Sequence, residues 1–336
     1  MALDGVGGPS ISPAAGKGAD ASLYLHPQTL ARLSSFDLRA KMIVEGFSSG
    51  QHRSPYQGLS VEFAQHRPYA AGDDLRHLDW KVFGRSDKLQ LKQHQQETNL
   101  DLVILVDASG SMDYGSRSFE DASGLGVSAG PTGRRHWSKF DHATALAAAL
   151  AYITLRQADR VGLVVFADKV LSMVKRSSAR AAWRPIVENL SVHPVGAATD
   201  FPRAIDQTLA TLTNRCVLAV VSDFLTDLDA VRATLARVRH ARHDLIAFQV
   251  LDRAEIEFDF DEPAPFEGLE GEARVKIDPR ALRGAYLEAL REHEEKLRAS
   301  LVAFGFDFHR LCTHDWLGPA LAAFVTRRNA LMRRGG

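Results

Sequence analysis

The run Leu102-Val103-Ile104-Leu105-Val106, followed directly by Asp107-Ala108-Ser109-Gly110-Ser111-Met112, constrains this chain more than any other feature. An apolar stretch with no polar break reads as a strand covered on both faces, the kind found inside parallel sheets. A carboxylate and two hydroxyls then leave its C-terminal end together, where open α/β sheets place their ligands. Hard oxygens spaced this closely suit a small hard cation such as Mg²⁺, which prefers octahedral oxygen coordination. A plain Ser/Gly turn is the competing reading, because these residues favour turns anyway.

Two later segments repeat the pattern. Gly196-Ala197-Ala198-Thr199-Asp200-Phe201-Pro202 precedes an amphipathic segment, so Thr199 or Asp200 is a candidate helix cap. Val217-Leu218-Ala219-Val220-Val221-Ser222-Asp223 is a second buried-strand run ending in a carboxylate. Three oxygen-bearing segments at strand or helix ends are what a shared cation site requires.

The set Asp-x-Ser-x-Ser, then Thr, then Asp resembles the metal-ion-dependent adhesion site of von Willebrand factor A domains. Carried over by position, the resemblance implies Asp107, Ser109, Ser111, Thr199 and Asp223 as ligands of Mg²⁺ (or Mn²⁺), some of them through water. Upstream, Gly58-Leu59-Ser60-Val61-Glu62-Phe63, Arg67-Pro68-Tyr69, Gly72-Asp73-Asp74-Leu75-Arg76 and Leu78-Asp79-Trp80 resemble the bacterial family called domain of unknown function 58. Leu251-Asp252-Arg253-Ala254-Glu255 and Tyr286-Leu287-Glu288-Ala289-Leu290 also fit that family. The resemblance spans roughly residues 40 to 325 and implies an interaction module. Its implied partner is a MoxR-type AAA+ ATPase or its substrate, since the two are often encoded together. Many relatives carry N-terminal membrane helices; this chain departs from them and is expected to be cytoplasmic.

The order of segments predicts a doubly wound, mostly parallel α/β sheet with helices on both faces. Leu146, Leu150 and Ile153 recur at helical spacing, and Val161–Phe166 and Val170–Val174 are close enough for a hairpin. Helices are expected over Arg180–Leu190 despite Pro185, Ala204–Leu212, Leu228–Val238 and Leu317–Phe324, with strands at Val217–Val221, Leu245–Leu251 and Phe304–Leu311. Asp278-Pro279 is a helix start, and Leu282, Tyr286, Leu290, Leu297 and Leu301 form an apolar stripe behind it.

The expected organisation is a disordered tail over residues 1–22, a family-specific region over 23–100 and the A-like domain over 101–330. Residues 114–138, rich in Gly and Ser, read as a flexible insertion, and Glu255–Glu272 as a solvated acidic excursion. Asp73, Asp74, Arg76, Asp79, Lys81 and Arg85 read as ion pairs around a Trp80 anchor where the N-terminal region meets the rest.

Composition excludes several classes. Forty-one basic residues balance forty-one acidic ones, which gives no electrostatic reason for nucleic acid or an anionic membrane as partner. No segment reaches the ~18–20 uninterrupted apolar residues of a membrane-spanning helix. Cys216 and Cys312 are too few for a disulfide framework and read as packed thiols. There is no Gly-x-x-x-x-Gly-Lys-Ser/Thr loop, and Leu297 stands where a zinc-protease helix beginning at His293-Glu294 needs its second histidine.

The alternative function is a metal-dependent phosphohydrolase using Asp107 as nucleophile. The haloacid dehalogenase pattern that does this needs a second Asp where this chain has Ser109. No complete catalytic constellation is found, so the chain is read as a non-enzyme. A third reading is a site that only ties strand ends together; the presence of all five ligand types argues against it.

Overall fold

The computed structural model describes residues 40–41, 43–45, 47, 66–68, 80–92, 100–118, 136–191, 197–260, 264–266, 269–270 and 275–335. The expected tail over 1–22, most of the family-specific region and Asp73, Asp74, Arg76 and Asp79 lie outside them. Trp80 begins a short helix, Trp80–Ser86.

Six strands form the main sheet: β1 (Asp101–Asp107), β2 (Arg160–Phe166), β3 (Val170–Ser177), β4 (Val217–Ser222), β5 (Asp244–Leu251) and β6 (Asp307–Cys312). Their order is β6-β5-β4-β1-β2-β3. Every neighbouring pair is parallel except β2–β3, the hairpin anticipated from its short connection. The doubly wound α/β architecture expected from the sequence is therefore observed.

The principal helices are α1 (Lys139–Arg156), α2 (Trp183–Leu190), α3 (Phe201–Leu209), α4 (Leu228–His240), α5 (Arg253–Glu257), α6 (Pro279–Ala303) and α7 (Gly318–Gly335). Alternate residues of β1 serve opposite faces. Leu102, Ile104 and Val106 pack with Leu146 and Leu150 of α1, Ile186 of α2 and Phe324 of α7. Val103 and Leu105 pack with Phe201 of α3, Leu235 of α4 and Leu297 of α6. A strand buried on both sides must be apolar throughout, which is why this run was so readable.

Local boundaries differ where backbone chemistry intervenes. Residues 180–182 form a 3₁₀ turn and α2 starts only at Trp183. Pro185 then falls in the first turn, where a missing N–H costs nothing. Strand β6 begins at Asp307 rather than Phe304, because α6 runs to Ala303 with Phe304 as its C-cap, and Gly305 turns the chain with a φ of +74°. The α6 stripe is buried only at Leu297 and Leu301, while Leu282 stays exposed.

Between β1 and β2 the chain crosses over on one side, and between β3 and β4 it returns to the other. The C-terminal ends of β1 and β4 thus flank the switch point where doubly wound sheets form their ligand crevice.

Candidate functional site at the switch point

Asp107 is the last residue of β1 and is fully buried. Four donors surround its carboxylate. Ser109 N–H donates to Oδ1 at 2.9 Å, Ser222 Oγ to Oδ2 at 2.6 Å and Thr199 Oγ1 to Oδ2 at 3.0 Å, and the Ser109 hydroxyl also hydrogen-bonds it. None of these is charged. Burial, and secondarily the nearby Asp223 charge, push the Asp107 carboxyl up to about 6.

Asp223 follows β4 directly and is also buried. A left-handed Phe224 (φ 54°) turns the chain immediately afterwards, an unusual conformation for a non-glycine residue. Its ring packs edge-on against Phe201 at 5.7 Å, and His293 Nε2 donates to its carbonyl at 2.7 Å. Those contacts hold the turn that presents Asp223. Leu225 N–H donates to Asp223 Oδ1 at 3.2 Å, and the Ser111 hydroxyl hydrogen-bonds the same carboxylate.

The structure brings all five expected residues together. Thr199 reaches Asp107, Ser109 Oγ lies 3.1 Å from Ser111 Oγ, and Ser111 reaches Asp223. Gly110 N–H donating to Ala197 O at 3.0 Å ties the β1 turn to the Thr199 segment. The capping question is resolved as well: Asp200 caps α3 by accepting from Arg203 N–H, which leaves the Thr199 hydroxyl for Asp107.

Two further residues of the crevice escaped the sequence reading. Ser222 is the shortest hydrogen bond to Asp107, and Lys139 brings a cation into the site. Lys139 Nζ lies 2.9 Å from Asp223 Oδ2 and 2.7 Å from Glu255 Oε1, with its side chain only 1% exposed. Burial works against the ammonium, but the two carboxylates outweigh it and push Lys139 above its ordinary value. Burial likewise works against ionising Asp223, and Lys139 wins, leaving Asp223 below its ordinary value. One signal was available: Ser138 and Asp141 form a capping box, which makes Lys139 the first residue of α1. A cation there opposes the helix dipole and calls for a compensating anion.

Two expectations are corrected. The insertion over 114–138 is anchored at both ends: Arg117 and Ser118 pair with Trp137 and His136. Trp137 is fully buried, and Tyr114 O accepts from Lys139 N–H at 2.8 Å. A Cβ on Gly115 would fall 2.1 Å from Trp137 O, so the two ends touch through backbone. Residues 119–135 lie outside the described residues. The acidic segment beginning at Glu255 is not wholly solvated either. Glu255 closes the capping box of α5 and binds Lys139, Phe258 is buried, and Glu270 Oε1 accepts from Ser111 N–H at 3.3 Å.

The donor set fits a hard divalent ion. Its oxygens are carboxylate and hydroxyl only, and they converge on one crevice. Among the described residues there is no cluster of three or more His, Cys, Asp or Glu able to hold a metal, so hydroxyl oxygens would have to complete any coordination in this crevice. Nor is any described helix long and apolar enough to cross a membrane.

The chain is 26% identical over 312 residues to uncharacterized proteins of Mycobacterium tuberculosis and Mycobacterium bovis, covering 91% of this chain and 92% of each relative. Among solved structures, it is similar to the conserved hypothetical protein BatB from Bacteroides thetaiotaomicron, at 15% identity and a TM-score of 0.42, covering 70% of this chain and 99% of that one. It is also similar to the VWA domain of SpRpn10, at 14% identity and a TM-score of 0.36, covering 67% and 94% of the two chains. The model of the family described as "Protein of unknown function DUF58" matches residues 65–296. The chain therefore belongs to the DUF58 family.

Proposed function

We propose that this protein is a metal-dependent protein–protein interaction module. It binds one Mg²⁺ (or Mn²⁺) through Asp107, Ser109, Ser111, Thr199 and Asp223 and uses it to capture an acidic side chain of a partner. The observation that carries this reading is a fully buried Asp107 carboxylate whose partners among the described residues are all neutral donors. A buried charge without a counter-charge is costly, and a cation is the natural remedy. A bound divalent ion supplies an electrophilic position for an incoming carboxylate. The protein's own residues do the rest: Ser222 and the Ser109 N–H orient Asp107, and the Phe224 turn aims Asp223.

The rim already accommodates a carboxylate, since Glu270 reaches the Ser111 N–H there. That supports an acidic residue as the group the site receives. The partner is a MoxR-type AAA+ ATPase or its substrate, and the encounter takes place in the cytoplasm. The phosphohydrolase alternative is less well supported. Asp107 is fully buried, both its oxygens are engaged by donors, and Ser109 offers no acid/base group.

Calorimetric titration of chelator-stripped protein with Mg²⁺ or Mn²⁺ tests the metal reading. One site is expected, abolished in Asp107→Ala; unchanged binding in that variant would overturn the assignment. Pull-down from native lysate with and without chelator tests the partner. Recovery of a MoxR-type ATPase only when the ion is present is expected, and recovery of none under either condition would overturn the adaptor role.

A further inference from the structure

The segment Leu251-Asp252-Arg253-Ala254-Glu255 is one of the stretches that resemble the family, yet no role for it follows from the five expected ligands. The structure gives it one. Asp252 follows β5 and caps α5; its Oδ1 accepts from Ala254 N–H at 2.9 Å and its Oδ2 from Thr313 Oγ1 at 2.6 Å. Glu255 completes the capping box by accepting from Asp252 N–H through Oε2 at 2.7 Å, which leaves Oε1 for Lys139. The segment therefore fixes a carboxylate against the ammonium that also holds Asp223.

Lys139 is shared between two carboxylates, Asp223 and Glu255, while Asp107 has only neutral donors and Glu270 adds a further carboxylate at the Ser111 N–H. The neighbourhood is therefore net negative, and a divalent ion would offset that charge. Removing Lys139 makes the neighbourhood more negative, and removing the charge of Glu255 makes it less so. The ammonium also engages an oxygen of Asp223 that an incoming ion would seek.

We propose that Lys139 and Glu255 are positioning residues that set how tightly the site holds its divalent cation. Lys139 is a tethered cation that shares Asp223 with the ion, and Glu255 draws the ammonium away from it. The consequence is a metal held moderately and left electrophilic, as an acidic partner requires. This inference rests on the metal-binding reading above.

The test is titration of the full chain, stripped with chelator, with MgCl₂ and with MnCl₂, followed by calorimetry. Lys139→Gln is expected to tighten binding by at least roughly tenfold, the lower scale for a unit charge a few ångströms from a divalent ion when solvent screening is nearly complete. Glu255→Gln is expected to weaken it by roughly the same factor, because the ammonium is left with Asp223 alone. A purely structural role would move both variants the same way, so opposite signs are the signature, and equal signs or no change would overturn the proposal. Melting curves give a second readout: Mg²⁺ should raise the melting temperature of Lys139→Gln by more than that of the natural chain. Should Lys139→Gln fail to fold, Glu255→Gln decides alone; weaker binding supports the proposal, and unchanged or tighter binding overturns it. If neither the natural chain nor Lys139→Gln binds the ion, the metal-binding reading itself falls. Binding by Lys139→Gln only would overturn the proposal, since the ammonium would then replace the ion rather than share Asp223 with it.

Discussion

Strand β1 begins and ends with a buried aspartate, and the two ends of the sheet treat that charge in opposite ways. Asp101, at the start, accepts from Arg176 Nη1 at 2.5 Å and lies 3.4 Å from Arg160 Nη1. Its neighbours at the same edge are handled alike: Asp159 pairs with Arg328 at 2.7 Å, and Asp244 with Arg215 at 2.7 Å and Arg327 at 3.2 Å. Asp107, at the other end, has hydroxyls and an N–H but no guanidinium or ammonium among the described residues. Asp223 beside it has Lys139, yet that ammonium is divided with Glu255. At the N-terminal edge each of these carboxylates has a guanidinium of its own. The C-terminal edge keeps negative charge in reserve, which is what a cation site needs and what stability alone would not select.

Exchanging the two aspartates for asparagine breaks the comparison most sharply. Asp101→Asn leaves Arg176, with its side chain 11% exposed, without its carboxylate, and is expected to cost about 3–5 kcal/mol while leaving Mg²⁺ binding intact. Asp107→Asn is expected to do the reverse, losing the ion while costing clearly less stability in chelator. Denaturant unfolding with and without Mg²⁺ separates the two, and equal losses of stability in chelator would show that Asp107 is as well paired as Asp101.

Ser222→Ala sharpens the comparison at the next scale down. It removes the shortest hydrogen bond to a buried carboxylate, and a loss of about 1–3 kcal/mol in chelator is expected, diminished when Mg²⁺ is present. An equal loss under both conditions would mean that the ion does not relieve Asp107. The smallest effect belongs to the solvent side: Arg184 and Glu188 form an i,i+4 pair whose side chains are 87% and 60% exposed. Arg184→Ala should cost no more than about 0.5 kcal/mol in the same unfolding assay, confirming that burial rather than pairing sets the scale.

What was legible in the sequence was local. Leu102–Val106 and Val217–Val221 are apolar throughout because both faces are covered, and each hands its last carboxylate to the crevice. Asp278-Pro279 starts α6 as its chemistry dictates, and Asp200 caps α3. What was not legible depends on long-range partners. Lys139 reads as an ordinary surface residue until Asp223, 84 residues on, and Glu255, 116 residues on, are folded against it. The same holds for Glu270 and Ser111, separated by 159 residues. Trp137 looked like part of a Gly/Ser-rich loop because its buried environment comes from α1 and the paired strand at Arg117, not from its immediate neighbours.

The central claim, that the C-terminal edge of the sheet holds a divalent cation against charge left uncompensated there, is tested most directly by anomalous diffraction from crystals of the protein grown with MnCl₂. The expected result is one anomalous peak in the crevice bounded by Asp107, Ser109, Ser111, Thr199 and Asp223, absent in Asp107→Ala. A crevice without manganese at saturating concentration, or manganese bound only elsewhere, would contradict the account.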